Sequence, residues 1–134
     1  MSYPEEKRAA LRARIYKNVT QIWLLHQLSV AGVKASKSHF SEYLSGKRTG
    51  SAAETVLAAT EKILDRFEEG NLGSAVVTSL VSIPSAKLPV YVVREPKGSV
   101  QYYWRKGNSF GPMLTQEEVQ IYNKEILECE LRQL

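Results

Sequence analysis

The run Lys37-Ser38-His39-Phe40-Ser41-Glu42 sets an ammonium, two hydroxyls, an imidazole and a carboxylate in close succession. Each of these groups donates or accepts hydrogen bonds. The run matches no motif that pairs a Ser or Cys nucleophile with its base. The rest of the chain adds none. It has no Gly-rich phosphate loop and no metal-ligand spacing. Its two histidines, His26 and His39, lie far from the single Cys129, which argues against a structural zinc site. The chemistry available is recognition, and the expectation is a protein that is not an enzyme and that uses no cofactor and no metal.

Charge narrows the partner. Residues 1–50 hold nine Lys or Arg and three acids, a balance of +6 in a chain whose total is +4, so the remainder is slightly acidic. A basic front fits a polyanionic partner, and it fits a merely solvated basic surface equally well. One cysteine cannot form an internal disulfide, as in a reducing cytosol. No apolar run is long enough for a membrane span, and Met1 to Glu6 lacks the order of a signal peptide. The expected location is cytoplasmic.

The elements that would position these groups are readable from periodicity and caps. Pro4, Glu5 and Glu6 suit a helix start, and a helix is expected to about Lys17, with Ala10, Leu11 and Ile15 inward. Asn18 or Thr20 can cap a second helix from Gln21 to about Leu28, whose Trp23, Leu24, Leu25 and Leu28 cover more than one face. Gly32 is a good stop. Ser36 can cap a third helix from Lys37 to Leu44, with Phe40, Tyr43 and Leu44 on one side. A fourth is expected from about Ala52 to Glu69. Residues 71–88, punctuated by Gly73, Ser74, Ser79, Ser82, Pro84 and Ser85, read as a linker with room for one short strand or helical turn. Val90 to Val93 and Val100 to Trp104, joined by Pro96-Lys97-Gly98, read as a hairpin. Thr115-Gln116-Glu117-Glu118 has capping-box form and opens a last helix to about Arg132. The expected fold class is mainly α: a four-helix domain over residues 1–70, then a small ββα (α+β) unit over residues 89–134.

Two short helices joined by a turn, the second bearing polar residues, is an arrangement that reads DNA, because an α-helix fits the major groove. Over roughly residues 5–69 the chain resembles lambda-repressor-like (Cro-type) helix-turn-helix domains. Phe40-Ser41-Glu42-Tyr43-Leu44-Ser45-Gly46-Lys47-Arg48 looks like the end of that family's recognition helix and the basic loop after it. Thr20-Gln21 looks like the Thr-Gln that opens the preceding helix, and the helix from Ala52 looks like the next core helix. The stretch from His26 to Ala35 is about a helical turn longer than usual, as in phage and mobile-element variants.

The resemblance implies roles. Lys37, Ser38, His39, Ser41 and Glu42 would form the base-reading face. Lys34, Lys47, Arg48 and Thr49 would neutralise phosphates, and Gln21 would bind phosphate through its side chain and backbone N–H. The implied function is a sequence-specific double-stranded DNA-binding regulator. The alternative is a protein-interaction module, such as an inhibitor of a host factor or defence system.

In the second half, Tyr102 to Lys106 mixes aromatics with cations, as single-strand stacking platforms do. The plainer reading is that alternate residues fill a small core. The last helix carries Val119, Tyr122, Ile126 and Cys129 at 3–4 spacing, with Leu127, Leu131 and Leu134 alongside, a stripe broader than one hairpin requires. It predicts a homodimer through residues 89–134.

Overall fold

The computed structural model describes residues 3–72 and 75–134. The elements are α1 (Glu5–Asn18), α2 (Gln21–Val30), α3 (Lys37–Ser45), α4 (Ser51–Glu68), β1 (Val77–Val81), β2 (Val90–Arg94), β3 (Val100–Lys106), β4 (Ser109–Met113) and α5 (Gln116–Arg132). The chain is mixed α+β. It divides into two compact units, Met1–Ala75 with Pro96–Gly98 and Leu134, and Val76–Glu95 with Ser99–Gln133.

In the first unit, side-chain caps set the starts of α2 and α3. The Thr20 hydroxyl accepts from the Trp23 N–H at 3.3 Å, and the Ser36 hydroxyl accepts from the His39 N–H at 3.1 Å. α2 ends on Gly32 at φ +82°, where the Val33 N–H reaches back to the Leu28 carbonyl at 2.8 Å. α2 thus runs two residues past the expected Leu28 before the turn that leads to α3. Trp23, Leu24, Leu28, Phe40 and Leu64 are fully buried. α1 packs on α3 and α4, and α2 and α3 each pack on α4. Ala10, expected inward, is exposed, because Leu11 and Ile15 already carry the buried side of α1.

The second unit departs from the expected ββα form. Its sheet has four antiparallel strands in the order β1-β2-β3-β4. The first lies inside residues 71–88, read above as a linker. There Val77 and Val81 are buried while Thr78 and Leu80 face out, and the neighbouring serines and Pro84 hide that alternation. Gly73 and Ser74 lie outside the described residues. The fourth strand contains Gly111-Pro112, a pair that argues against a central strand but not against an edge, where β4 sits. Gly111 is required there: a Cβ would come within 2.7 Å of the Trp104 carbonyl oxygen.

α5 opens with the expected capping box between Thr115 and Glu118. Its Val119, Tyr122, Ile126 and Cys129 pack on the face of the sheet bearing Val81, Val90, Val92, Val100, Tyr102 and Trp104. The sheet takes up these four residues, whereas Leu127 beside them is exposed. Arg94 and Glu130 form a bidentate pair on this side, at 2.8 and 2.6 Å, with Glu130 fully buried. Burial pulls the Arg94 pKa down, and the hydrogen bonds and charge of Glu130 outweigh it, so the guanidinium is held charged. The opposite face of the sheet carries a ring cluster. Phe110 lies 4.5 Å from Tyr91 and 5.4 Å from Tyr103, centroid to centroid.

Candidate functional site

α3 is held at both ends. Ser36 caps its start. Its last turn ends on Gly46 in the left-handed conformation at φ +84°. Two arginines one turn apart on α1 meet this C-terminus. The Arg12 guanidinium donates to the Leu44 carbonyl, and the Arg8 guanidinium lies so close to Gly46 that a Cβ there would stand 2.5 Å from Arg8 Nη2. Cations at a helix C-terminus complement its dipole. Glu5 joins the two, bonding Arg8 Nη2 at 2.9 Å and Arg12 Nη2 at 2.6 Å. Hydrogen bonds from Arg12 and then Arg8 hold the exposed Glu5 carboxyl below its ordinary range.

At about 100° per residue, the buried side of α3 is centred on Phe40, Tyr43 and Leu44, and Ser38, Glu42 and Ser45 point away from it. The five residues proposed as base readers spread over this exposed arc. Ser38 and Ser41 are exposed, with no hydrogen-bond partner among the described residues. Lys37 is likewise exposed and unpaired. His39 sits on one flank with its ring 6.2 Å from that of Tyr43. Glu42 is half-buried and 3.7 Å from Arg48 Nε, so its carboxylate already has a cation.

The expected phosphate ligands divide between the two flanks of α3. On one flank, Gln21 and Ser41 line an open groove of about 630 Å³ together with Arg12, Tyr16 and Ser45. Gln21 is the first residue of α2, and its backbone N–H lies outside any intrahelical bond. On the other flank, Lys34 lines a hollow of about 330 Å³ beside Tyr43, Ser51 and Thr55, and Arg48 and Thr49 follow in the exposed loop. Lys47 is exposed and its ammonium has no partner among the described residues.

Arg12, Tyr16 and Ser45 join this surface without having been singled out from the sequence. Tyr16 is 93% exposed, far more than packing requires of an aromatic ring. The available signal was Glu5, Arg8 and Arg12 on one side of α1, at helical spacing. Among the described residues no cluster of His, Cys, Asp and Glu could hold a metal ion, and no helix is long and apolar enough to cross a membrane. No family model, curated protein or solved structure matches this chain.

Proposed function

We propose that the first unit binds double-stranded DNA as a lambda-repressor-like helix-turn-helix domain, with α3 in the major groove. The protein is then a sequence-specific regulator, cytoplasmic, of the phage or mobile-element kind. One observation carries the reading. α3 presents free hydroxyls outward while groups suited to phosphate stand on both of its flanks. A helix lying in a groove meets a sugar–phosphate strand on each side, and these flanks supply Gln21 to one and Lys34 and Thr49 to the other, with Arg12 and Arg48 joining by exchanging Glu5 and Glu42 for phosphate. A protein partner would require no such bilateral arrangement.

Binding of the full chain to duplex DNA, measured against salt, tests it. Affinity should fall steeply with salt, at a slope of roughly −0.9 per neutralised phosphate. Lys47→Ala and Arg48→Ala should each weaken binding to all duplexes and flatten the slope by about one unit. Replacing Ser38 and Ser41 together with Ala should relax sequence preference, by about 1–3 kcal/mol per lost base contact, at nearly constant stability. Salt-independent binding, or no binding to any duplex in a randomised pool, would favour the protein-interaction reading.

The same reading includes a homodimer through the second unit. Val119, Tyr122, Ile126 and Cys129 of α5 are taken up by its own sheet, and the surface proposed for a second copy is the outer sheet face. There Leu80, Tyr91, Tyr103 and Met113 align across the four strands, and Phe110 and Met113 are more than half exposed. Sedimentation should show a dimer for the full chain and a monomer for a Phe110→Glu, Met113→Glu variant. A monomeric parent chain at tens of micromolar would end this part of the reading.

A further inference from the structure

Trp104 faces the inner side of the sheet, yet it is only half-buried. It lines an open trough of about 590 Å³ with Leu88, Pro112 and Tyr122, and the trough lies wholly within the second unit. That volume falls in the range of small-molecule sites, roughly 300–1,000 Å³. We propose that this trough is a binding site for a small, flat aromatic anion. The proposal stands apart from DNA reading by α3 and uses none of its residues.

Three features support it. The first is a fixed aromatic wall. The indole Nε1 donates to Glu118 Oε2 at 3.1 Å, and the other oxygen of Glu118 accepts from the Thr115 N–H at 2.9 Å, so the cap of α5 also orients the ring. Tyr122 meets the indole edge-on, at 5.8 Å and 82°. A wall already locked loses little freedom when a ligand stacks on it. The second is apolar surface. Leu88 is 50% exposed at the trough, a large aliphatic surface left open to water.

The third is charge. The trough is bordered by Lys87, Arg105, Lys106 and Glu118. Glu118 has both oxygens engaged, as above. Arg105 is tied to the Gly107 carbonyl at 2.6 Å and the Asn108 side chain at 2.8 Å. Lys87 and Lys106 are exposed and have no ion-pair partner among the described residues. Arg105 and Glu118 bond neutral groups and keep their charges, so the border holds three cations against one carboxylate, a net of +2, and its groups without a bonded partner are the two ammoniums. They select an anion with an apolar body over a neutral or cationic molecule of the same shape.

Titration of the full chain with 2-naphthoate, followed by the two indole N–H resonances, tests the site. The Trp104 resonance should shift saturably, with a dissociation constant near or below about 1 mM. That of Trp23, fully buried in the other unit, should stay in place. Neutral 2-naphthamide should bind at least about fivefold more weakly, and a Lys87→Gln, Lys106→Gln variant should bind naphthoate no better than the parent binds the amide. Both lysines are exposed, so the variant keeps its fold. Three results would overturn the proposal: no saturable shift at millimolar naphthoate, equal affinity for naphthoate and naphthamide, or unchanged naphthoate affinity in the variant. Tighter binding of decanoate than of naphthoate would overturn the flat aromatic class in favour of a flexible chain.

Discussion

The two units place their ion pairs differently. In the first, Glu5 with Arg8 and Arg12, and Arg14 with Asp65 and Glu68, lie along the surface, with carboxylate side chains 38–59% exposed. In the second, Arg94 and Glu130 meet beneath α5, at 12% and 0% exposure. Surface pairs contribute little because water and salt screen them. A buried pair costs desolvation to form, and losing one member strands the other charge. The first unit can therefore alter its surface charges at small cost. The second has tied the seating of its helix on its sheet to one pair.

The sharpest way to break this contrast is Glu130→Ala. It should destabilise the second unit by about 3–5 kcal/mol, while the Arg94→Leu, Glu130→Leu double variant should recover most of that loss. Urea denaturation followed at the Trp104 and Trp23 indole resonances separates the units. A loss below 1 kcal/mol, in the range of exposed pairs, would abolish the distinction. Next in size is Gly46→Ala, which forces a Cβ into the left-handed region and onto the Arg8 guanidinium. The strain is about 1–2 kcal/mol, read at Trp23, and duplex binding should fall with it. Parental stability would show that the end of α3 relaxes freely.

Arg14→Ala removes two surface pairs at once, at 2.7 and 3.0 Å. It should cost at most about 1 kcal/mol, and less as salt rises. A salt-independent cost would mean that the Arg14 stem, not its charge, matters.

The smallest effect concerns Tyr3, whose hydroxyl donates to Glu61 at 2.9 Å. Burial, then that hydrogen bond and the charges of Glu61 and Glu54, push its pKa from 10.0 to about 12. The folded state thus holds a proton that the unfolded state releases. Its contribution is fully present below pH 10 and is lost as pH rises from 10 towards 12. Tyr3→Phe should remove this alkaline component, making the decline in stability over that window shallower than in the parent. Parallel curves for the two proteins would argue against it.

Most helix boundaries were legible because their signals are local. Thr20, Ser36 and Thr115 cap where their side chains predicted, and the ends differ from expectation by a residue or two. The sheet was half legible. β2 and β3 are β-branched and aromatic, whereas β1 is broken up by serines and β4 contains Gly111-Pro112. Such strands exist because their neighbours supply the ladder, and a single sequence does not show neighbours. The candidate site followed the same rule. Ser38 and Ser41 could be placed on an open face from the spacing of Phe40 and Leu44. The arrival of Arg12 and Tyr16 beside them depends on how α1 packs, and no periodicity reports that.

The double anchoring of α3 bears on how readily its exposed face can change. The forces that seat the helix come from Ser36, Phe40, Leu44, Gly46 and two arginines outside it. The hydroxyls of Ser38 and Ser41 take no part in that seating. A combinatorial library randomised at those two positions should therefore remain largely folded, and selection on duplexes should yield members with new preferences. On the proposed reading, the groups that seat α3 and the groups that would meet the bases are different atoms, so its preference could change without an unstable intermediate.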